Sequence, residues 1–265
     1  MTKQQERLVS NIKRIVLIAS LTLMLLVTVV VFLRRPKGSS SSLRPNPYSP
    51  EDFAIRDGYM TCLAGESWLG VDVSHHQKSI RWDEVAASGI RFAMIRLGHR
   101  TVSDGVICLD TYWEENFAGA RNAGLPIGVY FYSQAISVEE ARQEAAFVLD
   151  TLKGRRLEFP VVFDWEDYYK NSRTANMDPE TLNALAIAFC EEIAKAGYEP
   201  MIYFSPDLDN RLWDLELMQQ QGYSFWLAMY RDTMNWPYEA QMWQYTQTGR
   251  VNGIDGDVDI NLYFP

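Results

Sequence analysis

Two acidic residues stand together at the end of an apolar run. Residues 159–163, Phe-Pro-Val-Val-Phe, have the composition of a buried strand, and Asp164-Trp-Glu166 follow directly. Side chains i and i+2 of an extended chain point to the same face, so both carboxyls should emerge together. Because two such carboxyls cannot both ionise cheaply in a partly apolar pocket, one could act as a general acid near neutral pH. Glycosidic bond hydrolysis requires this pair; solvated acids at a strand end, or cation ligands, are the alternatives.

Aromatic residues cluster at the ends of other apolar runs. Sugars present C–H faces that pack on rings and hydroxyls that bond to carboxylates and amides, so an aromatic groove beside the two acids would suit a polysaccharide. For each ring the alternative is packing in the core. The rings predicted to line such a groove are Tyr130, Tyr132, Trp226, Tyr230 and Trp243.

The elements that must position these residues follow a repeated pattern of an amphipathic stretch, a glycine and a short apolar run. Nearly continuous apolar strands that alternate with helices are typical of a parallel sheet covered by helices. The predicted strands are marked by Leu69, Phe92, Ile127, Val161, Met201, Phe225, Met242 and Val258. The last three markers lie too close together for full helices between them. The fold class is therefore predicted to be α/β, a modified TIM-like (β/α) barrel with an irregular C-terminal part.

Functional residues of such a barrel stand at the carboxyl ends of its strands. The first strand ends in Asp72-Val-Ser-His-His-Gln77 and the last region contains Asp257-Val-Asp259, so more acids should join the mouth of the barrel. The glycine-rich phosphate loops of nucleotide-binding folds are not in the sequence. The stretch 138–152 reads as an outer helix, with Glu144 among its solvated charges.

The charge of the chain divides it into two parts. The 265 residues carry a formal net charge of -9, of which residues 1–50 contribute +7 (eight Lys or Arg and one acid) and the remainder -16. Residues 15–33 carry no charge and would form a helix of about 28 Å, close to the hydrocarbon thickness of a bilayer. A cleaved signal peptide is the alternative, but its apolar region is usually shorter. The basic residues on the two flanks are equal in number, so they leave the orientation open.

The predicted organisation is a cytoplasmic N-terminus (1–14), a transmembrane helix (15–33), a Ser/Pro-rich tether and lead-in (34–66), and one large domain (67–265).

The three histidines offer poor metal-ligand spacing, because adjacent His75 and His76 in an extended strand would point to opposite faces. Cys62 and Cys108 could pair if the domain is exported, whereas Cys190 has the pattern of a buried residue.

The ordered series of motifs resembles glycoside hydrolase family 25, the N-acetylmuramidases or lysozymes, from about Trp68 to the C-terminus. The motifs are Gly70-Val-Asp72-Val-Ser-His-His-Gln77, Gly128-Val-Tyr-Phe-Tyr132, Pro160-Val-Val-Phe-Asp164-Trp-Glu166, Phe225-Trp-Leu-Ala-Met-Tyr230, Met242-Trp-Gln-Tyr245 and Gly256-Asp-Val-Asp259-Ile-Asn261. This sequence departs from the family at Lys78, where glycine is usual, and at Phe131, where histidine is frequent. These departures concern cleft shape and substrate preference, since all four acids are present.

The resemblance implies a role for each matched acid. Glu166 would be the general acid, and Asp164 would assist at the substrate's 2-acetamido group or anomeric carbon. Asp72 and Asp259 would support them, and Gln77 would join the substrate-binding residues.

The implied activity is hydrolysis of the β-1,4 bond between N-acetylmuramic acid and N-acetylglucosamine in peptidoglycan. No cofactor, metal or nucleic acid is implied. The partners would be peptidoglycan strands and, through residues 15–33, the lipid bilayer. A single-pass membrane protein with its catalytic domain outside the cell is expected; a catalytically inactive wall-binding scaffold is the alternative.

Overall fold

The structure is a computed structural model that describes residues 43–166, 172–207 and 211–265. The predicted cytoplasmic segment 1–14, the predicted transmembrane segment 15–33 and the first part of the tether lie outside these residues. Within the described part of the chain, no helix combines the length and the apolar character needed to cross a membrane.

Eight strands close a barrel, as predicted. In ring order the strands are β3 (Trp68–Val73), β4 (Phe92–Arg100), β6 (Ile127–Tyr132), β7 (Val161–Asp164), β8 (Pro200–Phe204), β9 (Ser224–Ala228), β10 (Met242–Gly249) and β11 (Val258–Tyr263). Neighbouring strands run parallel from β3 through β10, while β11 is antiparallel to both β10 and β3 and closes the ring. A short strand, β5 (Ile107–Leu109), pairs antiparallel with the carboxyl-terminal end of β4.

The strands are apolar on both faces because both faces are buried. Phe92 and Met94 of β4 belong to the core inside the barrel, whereas Ala93 and Ile95 belong to the core beneath the helices. This arrangement explains the continuous apolar runs in the sequence. The interior is tightly filled, since a Cβ at Gly70 would overlap the ring of Phe92.

Helices cover the outside of the barrel between successive parallel strands. They are α1 (Trp82–Ala87), α2 (Trp113–Asn122), α3 (Val138–Leu152), α4 (Pro179–Lys195) and α5 (Leu215–Gln220). The connection from β9 to β10 and that from β10 to β11 contain no helix, in agreement with the predicted irregular C-terminal part.

Helix α3 differs from its sequence prediction at Glu144, whose side chain is fully buried rather than solvated. Its two carboxylate oxygens accept hydrogen bonds from Arg100 Nε and Ser133 Oγ, both 2.6 Å away. Burial raises the pKa of Glu144 to about 7, although both hydrogen bonds oppose the rise. Through these two hydrogen bonds the inward-facing carboxylate connects α3 to Arg100 at the end of β4 and to Ser133 just after β6.

Residues 43–66 pack against the barrel and belong to one compact unit with it, spanning Leu43–Pro265. Strands β1 (Phe53–Arg56) and β2 (Tyr59–Cys62) form an antiparallel hairpin. The buried ring of Phe53 lies edge-on to Trp243, with centroids 5.2 Å apart. This part of the predicted lead-in is therefore folded, and the reason is apolar burial by aromatic residues upstream of the first barrel strand.

Candidate active site

A cavity of about 280 Å³ opens at the carboxyl ends of the barrel strands. All but one of the predicted site residues line it: Asp72, Gln77, Tyr130, Tyr132, Asp164, Glu166, Trp226, Tyr230 and Asp259. The barrel topology therefore brings together residues from both ends of the domain sequence.

Trp243 is the exception, and its predicted place in the groove is corrected by the structure. Its ring is fully buried between Phe53 and Tyr245 on the outer side of β10, and its indole N–H donates to the Met229 carbonyl at 2.8 Å. Because side chains alternate along a strand, Trp243 and its neighbour Gln244 point to opposite faces. It is Gln244 that lines the cavity.

Asp164 and Glu166 enter the cavity from the end of β7, on either side of a buried tryptophan. Asp164 is the last residue of the strand and Glu166 lies two positions beyond it. Trp165 between them is fully buried in the core outside the barrel. The Ser133 amide donates to the Asp164 carbonyl at 2.7 Å, which ties the end of β7 to the segment after β6. Both carboxyls thus line one cavity, as their spacing predicted.

A buried amide network holds Asp72. Its Oδ2 atom accepts hydrogen bonds from Gln244 Nε2 at 2.9 Å and from Asn261 Nδ2 at 2.8 Å. Gln244 accepts in turn from the hydroxyls of Tyr203 at 2.9 Å and Tyr230 at 3.0 Å. Strands β3, β8, β10 and β11 therefore share one hydrogen-bond network, in which Asp72 accepts from both amide side chains.

Asp259 lies opposite Asp72 in the register between β11 and β3. Burial raises the pKa of Asp72, while hydrogen bonds from Asn261 and Gln244 act against the rise. Burial, together with repulsion from Asp72, raises the pKa of Asp259 to about 9. With its pKa raised to about 9, Asp259 keeps its proton near neutral pH, whereas the two amide donors at Asp72 favour the ionised form of that carboxyl.

The aromatic residues form one wall of the cavity. The Trp226 ring lies edge-on to Tyr203 and Tyr130, at centroid distances of 5.1 Å and 6.0 Å, and its indole N–H donates to Asn261 Oδ1 at 2.8 Å. Burial raises the pKa of Tyr130 and Tyr203, and nearby acids add to the rise. Both tyrosines therefore keep their hydroxyl protons at neutral pH. Tyr230 is 40% exposed, which leaves ring surface for a ligand.

Arg96 is a cavity residue that the sequence reasoning missed. Its guanidinium lies against Asp110, with Nε and Nη2 each 2.8 Å from the buried Oδ2, and it contacts His75 Nδ1. The signal was present, since Arg96 is a charge in the otherwise apolar first half of β4. Tyr203 and Gln244 also line the cavity and were not predicted. The sequences of their strands are apolar on both faces, so they do not distinguish residues that point into the barrel from those that point outward.

The segment after β3 corrects the geometry expected for the histidines. His75–Gln77 form a 3-10 turn rather than extended chain, and the rings of His75 and His76 lie side by side, tilted by 36° with centroids 4.0 Å apart. His76 and Gln77 line the cavity. Gln77 closes the turn, since its Oε1 accepts from the Ser74 amide at 2.9 Å. Lys78 follows with φ 57° and ψ -140°, a conformation that favours the glycine usual in the family.

The three cysteines are free thiols, including the possible pair Cys62 and Cys108. In the described residues, no group of three His, Cys, Asp or Glu side chains is arranged to hold a metal ion.

Acids and aromatic rings at the carboxyl end of a β/α barrel define a glycosidase-type site. The model of the Glycosyl hydrolases family 25 matches residues 71–254, and the chain belongs to that family. The protein is therefore of the glycosidase class.

Two curated relatives are similar over most of this chain. Lysozyme M1 of Streptomyces globisporus is 26% identical over 209 residues, which cover 73% of this chain and 67% of that protein. YegX of Escherichia coli strain K12 is 29% identical over 235 residues, 82% of this chain and 75% of that protein.

Solved structures share the fold. A bacterial lysozyme from Streptomyces coelicolor aligns with a TM-score of 0.61 at 25% identity, over 75% of this chain and 92% of that one. The autolysin LytC of Streptococcus pneumoniae, solved with a synthetic peptidoglycan ligand, aligns with a TM-score of 0.67 at 23% identity over 80% of this chain. The alignment spans 52% of the LytC chain, which is about half its length.

Proposed function

We propose that this protein is a peptidoglycan muramidase that hydrolyses the β-1,4 bond between N-acetylmuramic acid and N-acetylglucosamine. The observation that carries the proposal is the convergence of Asp72, Asp164, Glu166 and Asp259 in one cavity at the barrel mouth. The names of the relatives support it, since they include an autolytic lysozyme of Clostridium acetobutylicum as well as Lysozyme M1.

In the proposed reaction the Glu166 carboxyl donates its proton to the glycosidic oxygen as the bond from that oxygen to the anomeric carbon breaks. Positive charge develops at the anomeric carbon of N-acetylmuramic acid. The Asp164 carboxylate assists there, either by orienting the 2-acetamido group or by stabilising that charge directly. Water then adds to the anomeric carbon and returns a proton to Glu166.

The other cavity residues bind the sugar and shape the field around the acids. The exposed ring of Tyr230 offers apolar surface to sugar C–H faces, while the buried ring of Trp226 supports that wall from the barrel core. The phenol hydroxyls of Tyr130 and Tyr203 remain protonated. The neutral Asp259 carboxyl reduces the number of negative charges in the cavity. Each proton in the scheme has a protein group or water as its donor and acceptor, so the scheme uses no cofactor.

The test is peptidoglycan hydrolysis by the purified full chain in detergent. We expect new reducing ends on N-acetylmuramic acid, detected after borohydride reduction. Glu166→Gln should lower the rate by about 10² to 10⁴ fold, the usual contribution of a general acid. Glu180→Gln is the matched control, because Glu180 is an exposed glutamate in the first turn of α4. Absence of new reducing ends with the unmodified chain would overturn the muramidase proposal and leave the catalytically inactive, wall-binding scaffold as the alternative.

The proposal includes a location at the cell membrane, with residues 15–33 as a single transmembrane anchor. A peptidoglycan substrate requires the catalytic domain to lie outside, so the N-terminus would be cytoplasmic. Protease added to wall-stripped intact cells should then release the domain by cutting after about residue 39. Complete protection of the domain, with cleavage restored by lysis, would place it inside the cell.

A further inference from the structure

A second cavity of about 680 Å³ adjoins the first one, and both are lined by Tyr230 and Gln247. Its walls are the hairpin β1–β2 on one side and strand β10 on the other. Strands β1 and β2 precede the residues that match the family model, which begins at residue 71. This cavity is thus built in part by a segment outside the family match.

The hairpin is held rigidly against β10. Its turn residues Asp57 and Gly58 have φ values of 52° and 86°, which is the two-residue turn that best matches the twist of paired strands. The Met60 amide donates to the Tyr245 hydroxyl at 3.3 Å, and the Tyr59 hydroxyl donates to the Arg250 carbonyl at 3.3 Å. These contacts within the protein fix the hairpin wall of the cavity.

The pairing of strand β10 with β11 is irregular next to the second cavity. Its register with β11 shifts between Gln244 and Thr246 and again between Thr246 and Gly249. Such irregularities redirect side chains near functional sites. Here the segment presents hydroxyl and amide groups from Thr246, Gln247 and Thr248.

The charges of the second cavity disfavour an acidic ligand. Arg231 pairs with Asp207 at 3.0 Å, and Arg250 pairs with Asp257 at 2.9 Å. Asp57 and Asp232 add negative charge to the same walls. The carboxylates of a peptide stem would meet repulsion here, whereas a neutral sugar would not.

The apolar surface fits a sugar as well. The side chain of Ile55 is exposed on the hairpin, and the exposed part of the Tyr230 ring faces both cavities. An aromatic ring with neighbouring hydroxyl and amide groups is the combination that recognises acetamido sugars. A volume of 280 Å³ is at the small end for a ligand site, so a polymer bound there must continue beyond it.

We infer that the second cavity is an extended subsite that binds the neutral acetamido-sugar residues of the glycan strand next to the cleavage site. The inference rests on the proposed function for the identity of the polymer. The hairpin at residues 53–62 then acts as a specificity element that favours long glycan strands over short ones.

The experiment compares binding of chitotriose and chitohexaose to the full chain in detergent by calorimetry. Wild type should bind chitohexaose at least about tenfold more tightly than chitotriose. The variant Ile55→Ala/Thr248→Ala, which changes exposed side chains of the second cavity alone, should weaken chitohexaose binding about fivefold and leave chitotriose within about twofold. Leu63→Ala is the matched control, an exposed aliphatic residue just after the hairpin that lines neither cavity.

A second variant, Thr248→Trp, guards against a truncation effect too small to measure. The bulky ring should fill the second cavity and lower the affinity for chitohexaose to about the affinity for chitotriose. Equal affinities of wild type for the two sugars, or a ratio unchanged in both variants, would overturn the inference. Tighter binding of a disaccharide pentapeptide than of chitohexaose, lost in both variants, would assign the cavity to the peptide stem and overturn it too.

These outcomes are distinct from those of the hydrolysis assay. A length-dependent affinity without new reducing ends would retain the subsite and reject the muramidase. Hydrolysis with a flat length dependence would retain the muramidase and reject the subsite.

Discussion

Asp72 of β3 and Asp259 of β11 stand opposite each other in the strand pair that closes the barrel. Two amide groups donate to Asp72, and Asp259, whose pKa is raised to about 9, keeps its proton near neutral pH. The strand pair that closes the barrel therefore also brings together two of the carboxyls that set the electrostatics of the cavity.

Asp259→Asn should change how stability varies with pH. The folded state keeps the Asp259 proton up to a pKa of about 9, whereas an unfolded aspartate releases it near pH 4. Between these values the folded state binds more protons, so the contribution of this group to stability falls as pH rises. The amide of the variant can still donate to Asp72 but does not titrate. Melting temperatures should show the variant gaining on wild type from pH 5 to pH 9.

The control for this comparison is Asp83→Asn, at an exposed aspartate in α1. It should follow the wild-type profile. A constant difference between Asp259→Asn and wild type over the whole pH range would contradict the placement of the proton.

Glu144→Gln should destabilise the fold by about 3 kcal/mol, because it removes the carboxylate that pairs with the buried Arg100 guanidinium. Urea denaturation measures the loss. Glu139→Gln, on the exposed face of the same helix, should stay within about 0.5 kcal/mol of wild type. Equal stabilities of the two variants would show that the Arg100 contact contributes little.

Trp243→Phe should affect stability and leave substrate affinity unchanged. The substitution removes the indole N–H that donates to the Met229 carbonyl in the core, at a cost of about 2 kcal/mol. The KM for peptidoglycan should stay within about twofold, since the ring does not reach the cavity. Tyr230→Ala should do the reverse, raising KM about tenfold with less than about 1 kcal/mol of destabilisation. A raised KM in Trp243→Phe, with no change in Tyr230→Ala, would show that Trp243 rather than Tyr230 contacts the substrate.

Phe53→Ala tests whether the hairpin is part of the folded domain. Its ring is buried against Trp243 and Phe264, so truncation should cost about 3 kcal/mol in a denaturation experiment. Ile55→Ala on the same strand should cost less than about 0.5 kcal/mol, because Ile55 is 64% exposed. If the two substitutions had the same small effect, residues 53–62 would not contribute to the core.

Lys78→Gly should raise stability by about 1 kcal/mol. Lys78 has φ 57° and ψ -140°, where a Cβ is strained and glycine is not, and this relief exceeds the entropy cost of the glycine. Lys153→Gly is the comparison, since Lys153 at φ 49° and ψ 38° lies in the populated left-handed region and should gain less. A urea midpoint for Lys78→Gly at or below that of wild type would contradict the argument.

Much of the barrel could be predicted because local composition reports burial on both faces. All eight strand markers, from Leu69 to Val258, fall in barrel strands, and the glycines of the repeated pattern follow the helices as that pattern requires. The pair Asp164 and Glu166 was also predictable, because a spacing of two along extended chain sets a common face. These features depend on neighbours within a few residues.

The remaining features depend on contacts between distant parts of the chain. An apolar strand buried on both faces gives no signal for which residues point inward. The sequence therefore predicted Trp243 in the groove, whereas its neighbour Gln244 lines the cavity. Glu144 looked solvated because Arg100 and Ser133 are far from it in sequence. The sequence by itself determined the barrel and its acids; the tertiary structure decided which strand face meets the cavity, that Glu144 is buried against Arg100, and that the N-terminal hairpin packs on the barrel. The physical reason is that burial and charge pairing are set by the closed barrel, where residues nearly 200 positions apart become hydrogen-bond partners.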